Sequence, residues 1–275
     1  MSNQVTTFIT TDKKVAYNET RLSICLRADG FSFSVATMKS ELLTVGDVLF
    51  DEVSKNNPVK AVKEMLAEWN ISTFGHKQMR LIVESNQFAW IPEHLYNSEQ
   101  DRQYLALVSA PSFEGLGIYH IKVPIINSYL VFSAPYNIVT SFKVGMPGID
   151  VYCQHALLVN EMLMSRSNQH PVMLMNIRDR VGDYVAFYNG QLLLSNSFSG
   201  ENEEELLYHG IDLMKQLHLE TPDMELTMCG NVNREIYAIF QRFFPNVTLY
   251  NGIPFDYQNP AFHNLHTYKY PLILS

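Results

Sequence analysis

The same order of apolar segments occurs twice along this chain, and this repetition limits the folds that the chain can adopt. The first copy runs from Leu22 to Glu84 and the second from Val172 to Cys229. Each copy reads as two strands joined by a tight turn, followed by a third strand, a helix and another strand. The copies are offset by about 150 residues, which is too long for a solenoid repeat. The pattern predicts two related subdomains that close on a cleft.

The first copy carries clear local signals. Between Phe31 and Val35 apolar residues alternate with serines, which is typical of a half-buried strand. Asn57 before Pro58 predicts a helix start, with asparagine as the N-cap and proline in the first turn. The segment before this copy, residues 1–20, is predicted to be a polar lead-in.

The second copy has clearer local sequence signals than the first. Asn189-Gly190 separates two apolar runs and predicts a β-hairpin with a two-residue turn. Asn202 followed by Glu205 resembles a capping pair at the start of a helix. A further helix from Arg234 and a last strand from Val247 are expected after this copy.

A connecting block separates the copies. It contains predicted strands at 88–91, 118–126, 129–132 and 149–153, and predicted helices at 99–108 and 156–164. The polar stretch from Ser165 to His170 is the best candidate for a domain boundary. We therefore expect a first subdomain at 1–168 and a second at 169–275.

Composition excludes several classes of function. The formal net charge is −8 and no stripe of Lys or Arg is visible, so nucleic acid is not expected as a partner. The three cysteines lie far apart in apolar segments, which favours a reducing cytoplasm over a disulfide framework. Neither a signal peptide nor an apolar run long enough to span a membrane is found, so no membrane span is expected.

The order of elements, together with the connecting block, resembles the actin-like ATPase superfamily. Tyr129–Pro135 matches the family strand that ends in a small residue and proline, and Ile149–Cys153 matches the strand before the second phosphate hairpin. The resemblance is closest to the actin-like proteins of pilus and type II secretion assembly, and to an uncharacterised bacterial family of unknown function. It implies an α/β fold of two ribonuclease-H-like subdomains, with mixed sheets and flanking helices.

The resemblance also implies which residues should hold a nucleotide. In the superfamily each phosphate hairpin carries Asp-x-Gly, because magnesium prefers carboxylate oxygen and glycine lets the backbone approach phosphate. Here the two positions read Cys-Leu-Arg at 25–27 and Asn-Ile-Arg at 176–178. The adenosine motif keeps Gly230, followed by Asn231, and the expected acid after the 149–153 strand is Gln154. We therefore expect no catalytic residue, no metal site and no cofactor.

Arg27 and Arg178 leave two interpretations open. If the halves face each other, the two guanidinium groups could form a metal-free anion site in the cleft between the subdomains, since arginine binds carboxylate or phosphate through two nitrogens. The simpler interpretation is that they point to water or pair with Asp29 and Asp179. Arg27 and Arg178, with Gly230 and Asn231, are the candidate binding residues.

The C-terminal segment is rich in aromatic residues and offers a further candidate surface. These residues either cover the protein's own core or contact a partner; they are Phe255, Tyr257, Phe262, Tyr268 and Tyr270. Taken together, the sequence favours a non-catalytic, cytoplasmic interaction or regulatory protein whose partner is another protein. The alternative is a nucleotide-binding ATPase or switch with a rearranged cleft.

Overall fold

The computed structural model describes residues 3–108, 112–164, 170–251 and 259–275. These residues divide into two compact units. The first unit takes those within 3–122, 128–154 and 259–265, and the second takes those within 123–127, 155–251 and 266–275. The expected boundary between residues 168 and 169 lies outside the described residues.

The elements are numbered here in chain order. The strands before the second copy are β1 Gln4–Thr10, β2 Thr20–Leu26, β3 Gly30–Thr37, β4 Leu42–Leu49, β5 Gln78–Val83, β6 Phe88–Pro92, β7 Leu116–Val123, β8 Ser128–Pro135 and β9 Ile149–Cys153. The later strands are β10 Val172–Arg178, β11 Val181–Tyr188, β12 Gln191–Ser199, β13 Glu225–Gly230 and β14 Asn246–Leu249. The helices are α1 Glu52–Asn56, α2 Pro58–Glu68, α3 Asp101–Val108, α4 Tyr136–Gly145, α5 Gln154–Met164, α6 Glu203–Gln216 and α7 Arg234–Gln241.

The duplication predicted from the sequence is present in the sheets. The first unit contains the strand order β1-β4-β3-β2-β5-β9, and the second contains β12-β11-β10-β13-β14. Once β1 is set aside, the two orders correspond strand for strand. In both sheets the first three strands pair antiparallel and the remaining strands pair parallel. The fold is therefore α/β, with mixed sheets built twice on one plan.

The expectation for residues 1–20 was wrong in part. Gln4–Thr10 forms β1, which pairs antiparallel with β4 from Gln4 opposite Leu49 to Thr10 opposite Thr44. Five of its seven residues are exposed, so the strand lacks the apolar alternation by which half-buried strands are recognised. Its partner strand lies far along the chain, and such long-range pairing leaves no local signal in the sequence.

The local start and turn signals were confirmed. Asn189 and Gly190 both have positive φ, 50° and 72°, as the two-residue hairpin turn requires. The Asn202 side chain accepts a hydrogen bond from the Glu205 amide at 2.9 Å and so begins α6. The Glu205 carboxylate accepts from the Glu201 amide at 2.7 Å. In a standard capping box this carboxylate accepts from the amide of the N-cap residue itself. The N-cap here is Asn202, so the contact with Glu201 is displaced by one residue.

The core of the second unit lies between its sheet and the helices α6 and α7. The Tyr184 side chain is buried there and donates a hydrogen bond to the Leu206 carbonyl at 2.5 Å. Met173 and Leu226 come from the central strands, and Phe240 packs from α7. Burial of these large apolar side chains is the main stabilising contribution to the unit.

A smaller sheet in the first unit has the order β6-β8-β7 and packs against α3. Its core contains Ala89, Leu105, Phe113 and Val131. The first three strands of the connecting block therefore form a sheet of their own, inserted between β5 and β9, while the fourth, β9, joins the main sheet of the first unit.

The C-terminal aromatic residues cover the protein's own core where the structure describes them. Phe262 and Tyr270 are buried, and Tyr268 packs against the core of the second unit. Phe255 and Tyr257 lie outside the described residues. None of the helices in the described ranges is long and apolar enough to cross a membrane.

Candidate functional site

The first hairpin ends at an arginine that is paired with two carboxylates. Arg27 follows β2, and its Nε lies 3.1 Å from Asp29 Oδ1. Its Nη1 lies 3.0 Å from Oδ2 of Asp47, which belongs to β4. Thr6 donates a further hydrogen bond to Asp47 Oδ1 at 2.6 Å. Burial lowers the pKa of the Arg27 guanidinium, but the nearby Asp47 and Asp29 carboxylates raise it above its ordinary value overall. Arg27 is therefore always charged, and its charge is neutralised within its own unit.

The second hairpin has the same type of pair with a different carboxylate. Arg178 ends β10 and contacts Asp183 through two nitrogens, Nε to Oδ2 and Nη2 to Oδ1, both at 2.9 Å. Asp183 lies on β11 and faces Asn176 across the β10–β11 pair. From the sequence, Arg178 was expected either to point to water or to pair with Asp179. Asp179 instead occupies the turn, with a positive φ of 45°, and the carboxylate that receives the two-nitrogen contact is Asp183.

Asp183 is the centre of a buried polar network. Its side chain is fully buried and accepts hydrogen bonds from Asn176 Nδ2 at 3.0 Å and from Ser197 Oγ at 2.6 Å. His155 Nε2 lies 3.5 Å from Asp183 Oδ1. Burial raises the pKa of the Asp183 carboxyl, but hydrogen bonds and charges from His155 and Arg178 outweigh it and hold the pKa well below its usual range. The carboxylate therefore stays ionised.

His155, at the start of α5, fixes one side of this network. Its ring is fully buried, and each ring nitrogen has a serine partner. Ser195 Oγ lies 2.8 Å from Nδ1, and Ser197 Oγ lies 2.8 Å from Nε2. Because both serines come from β12, the network joins α5 to the hairpin strands of the second unit.

Gly230 and Asn231 lie at the end of β13, next to the end of β10. Gly230 has a φ of +80°, and a Cβ at this position would lie 2.1 Å from the Ile177 carbonyl oxygen. The Asn231 amide donates to that same carbonyl at 2.7 Å. The glycine is thus required by the close approach of two backbone segments, which is a structural reason for its presence that does not depend on a ligand.

Gln154 is a buried structural link. Its Oε1 accepts from the Ser85 amide at 2.9 Å, and its Nε2 donates to the Ser85 carbonyl at 2.8 Å. The side chain thereby ties the end of β9 to the loop after β5. A carboxylate here could not donate the second of these hydrogen bonds.

The structure thus brings three of the four candidate binding residues together. Arg178, Gly230 and Asn231 lie around the end of β10, and Arg27 occupies the equivalent turn of the other unit. Asp47 and Asp183 were not among the residues predicted from the sequence. Each is the single acidic residue of an otherwise uncharged strand, and an isolated acid of this kind could have marked both as candidate site residues. In the described ranges, no three His, Cys, Asp or Glu side chains are grouped so as to hold a metal ion.

The first unit also contains a groove between two sheet edges, which we call the edge groove. It is lined by Ile118–Ile121 of β7 and Ile149–Tyr152 of β9, with Asp101 and Lys143, and its volume is about 440 Å³. Both strands are the last of their sheets. Within the described residues, the outer edges of β7 and β9 therefore have no strand partner, and such edges can pair with an added strand.

Sequence comparison places the chain in a family. The family described as a protein of unknown function (DUF3822) matches residues 10–247. This chain is a member of that family. No curated protein matches the sequence of this DUF3822 chain.

Solved structures agree with the fold. A Bacteroides thetaiotaomicron protein, described as having an actin-like ATPase fold and unknown function, is 23% identical to this DUF3822 chain with a TM-score of 0.74. The match covers 86% of this chain and 92% of that one. A structure of the PilM–PilN type IV pilus biogenesis complex matches with a TM-score of 0.52 and 11% identity, and covers 84% of this chain and 88% of that one. The DUF3822 chain therefore has an actin-like ATPase fold, as the resemblance implied.

Proposed function

We propose that this DUF3822 chain is a non-catalytic, cytoplasmic interaction or regulatory protein that keeps the actin-like scaffold without its ATPase chemistry. The observation that carries the proposal is the state of the two hairpins. Arg27 and Arg178 each occupy a phosphate-hairpin position and are paired with an aspartate of the same unit, Asp47 and Asp183.

Magnesium-assisted phosphoryl transfer needs free carboxylate oxygens at these positions. The ion neutralises charge on the phosphates and is itself held by carboxylates and water. Cys25 and Asn176 stand where the superfamily has its aspartates, and neither of these buried side chains offers a carboxylate oxygen. The strand carboxylates next to these positions, Asp47 and Asp183, are bound to guanidinium groups, so a magnesium ion would have to compete with an arginine for either of them.

Gln154 supports the same proposal. A general base must accept a proton from the attacking water, and an amide cannot do so. Both polar atoms of the Gln154 amide are also bound to Ser85, so the side chain could not turn toward a substrate without breaking two buried hydrogen bonds.

The first test of the proposal is nucleotide binding. We expect the melting temperature of the purified chain to be unchanged by ATP with magnesium at millimolar concentration, because a ligand bound well above its dissociation constant would stabilise the fold by about 2–4 kcal/mol. ADP with magnesium and magnesium alone serve as controls. A saturable rise that requires both ATP and magnesium would favour the alternative, a nucleotide-binding switch.

The edge groove is the surface that we propose for a protein partner. The PilM–PilN structure, which has a related fold, is a complex of two proteins, and this likeness supports a protein as the partner. The groove of this chain offers two strand edges and the partly buried apolar residues Ile121 and Val151. An extended segment of a partner protein would satisfy the backbone of one edge and place alternate side chains in the groove.

Site-specific photo-crosslinking in the native cell tests this surface. A photoreactive residue at Val151 should give one major crosslinked product. Mass spectrometry should show that the crosslinked peptide comes from an extended segment of one partner protein. The matched control is Val53, which is 77% exposed on α1 of the same unit, and it should give none. Adding Ile121→Arg should remove the Val151 adduct, since Ile121 lines the groove. Equal adducts at both positions, or one that survives Ile121→Arg, would count against the groove.

A further inference from the structure

Polar side chains from three elements converge on the Asp183 carboxylate. Arg178 and Asn176 of β10 and Ser197 of β12 donate hydrogen bonds to it, and the His155 ring of α5 lies 3.5 Å away. The shortest of these contacts, from Ser197 Oγ, is 2.6 Å, and the carboxylate itself is fully buried. A guanidinium that binds through two nitrogens, supported by an amide and a hydroxyl, is the donor set with which proteins bind small oxyanions.

In this chain the anion in that donor set is part of the protein. Asp183 lies on β11 between β10 and β12, so its side chain reaches the donors without any change of the backbone. An external carboxylate or phosphate would have to displace a carboxylate held at very high local concentration. The site is therefore closed to external anions for as long as Asp183 is present.

The Arg27–Asp47 ion pair of the first unit is more exposed to solvent than the Arg178–Asp183 pair. The side chains of Arg27 and Asp47 are 20% and 12% exposed, whereas those of Arg178 and Asp183 are 12% and 0% exposed. Asp47 receives hydrogen bonds from Arg27 and Thr6, while Asp183 receives them from Arg178, Asn176 and Ser197 and has the His155 ring 3.5 Å away. The converging set of donors is thus a feature of the second hairpin.

We propose that Asp183 is the internal ligand of a latent oxyanion site formed by Asn176, Arg178, Ser197 and His155, and that a small carboxylate can bind there once the Asp183 side chain is removed. The proposal deepens the proposed function and rests on it, because it names what occupies the donors of the second hairpin in a chain without nucleotide chemistry. The ligand class is a small oxyanion, and formate is the smallest probe that carries the missing carboxylate.

Chemical rescue tests this proposal. Asp183→Gly removes the carboxylate and leaves room for formate, whereas Asp183→Asn removes the charge and keeps the side-chain volume. We expect sodium formate at about ten times its dissociation constant to raise the melting temperature of the Gly variant by about 3–5 °C relative to sodium chloride at the same ionic strength. Wild type and Asp183→Asn should respond to the two salts equally.

Two further measurements keep the test decisive. If Asp183→Gly does not fold in chloride, its folded fraction by circular dichroism should be restored when refolding takes place in formate. Adding Arg178→Met to Asp183→Gly should abolish the formate response, since the guanidinium holds the anion. A Gly variant that responds equally to formate and chloride, or one that stays unfolded in both while Asp183→Asn folds, would overturn the proposal.

The outcome is separate from that of the nucleotide test. Binding of ATP with magnesium to the wild-type chain would overturn the proposed function whatever formate does. A missing formate response would overturn the internal ligand and would leave the nucleotide result unchanged.

Discussion

The two hairpin arginines differ in how strongly they depend on their carboxylates. Arg178 and Asp183 are the more buried pair, with side chains 12% and 0% exposed. Removal of one partner of a buried pair leaves a charge without compensation, and typically costs about 3–5 kcal/mol. The first pair is partly exposed and partly screened by water, so its loss should cost less.

The pH dependence of the unfolding free energy should show how much the ionised Asp183 carboxylate stabilises the fold. Its pKa is lowered in the folded state. Its ionised form therefore stabilises the fold above the unfolded pKa of about 4, and this contribution is lost as the pH falls below that value. We expect the difference in unfolding free energy between wild type and Asp183→Asn to shrink from pH 6 to pH 3 in urea titrations.

Asp223→Asn is the matched control for that series, since Asp223 is an exposed acid of the same unit. It should change the unfolding free energy little at any pH. A difference between wild type and Asp183→Asn that stays constant or grows toward pH 3 would show that the Asp183 charge does not stabilise the fold.

Substitution of Gly230 tests whether the close contact between the ends of β13 and β10 requires a residue without a Cβ. Gly230→Ala would combine a positive φ with a Cβ placed 2.1 Å from the Ile177 carbonyl oxygen. Gly115 has a similar φ of +72° with nothing within 4 Å of the same Cβ. Gly115→Ala therefore isolates the cost of φ, about 1 kcal/mol. We expect Gly230→Ala to cost at least about 2 kcal/mol more than Gly115→Ala by denaturant unfolding. Equal losses of unfolding free energy would mean that the backbone near Ile177 moves easily to accommodate the added Cβ.

At the level of elements, the sequence predicted the strands that carry apolar alternation and several capped helices, but not α1, which is capped by Asp51. The hairpin at Asn189-Gly190 and the N-caps at Asn57 and Asn202 were found because their signals are local. Strand β1 was not found, because its stability comes from pairing with β4 and not from its own pattern. Asp29, which the sequence offered as a partner of Arg27, does pair with it, whereas the second partner Asp47 was missed because it lies two strands away from Arg27 in the sheet.

The C-terminal segment should behave as part of the core. Leu274 is fully buried, and Leu274→Ala should lower the unfolding free energy by about 2–5 kcal/mol, as expected for a large-to-small change in a packed core. Leu107 is 84% exposed on α3, and Leu107→Ala should change stability by less than about 0.5 kcal/mol. Circular dichroism in urea measures both. A Leu274→Ala variant as stable as wild type would show that the segment packs only loosely.

At the level of the whole chain, an actin-like fold does not determine an activity. Many functions occur on one scaffold, and they are decided by the residues at the site. Here the family membership and the fold are shared with proteins of unknown function. The observation that supports our proposal is chemical: Cys25 and Asn176, at the positions where the resemblance implies magnesium-binding aspartates, each lie two residues before an ion-paired arginine.

Isothermal titration calorimetry of the wild-type chain with ATP and magnesium measures directly whether the scaffold still binds nucleotide. We predict no heat of binding beyond dilution at concentrations that would detect a dissociation constant of about 100 μM, because Cys25 and Asn176, at the two hairpin positions, offer no carboxylate to hold the ion. A saturable, magnesium-dependent isotherm with a stoichiometry near one would contradict this prediction.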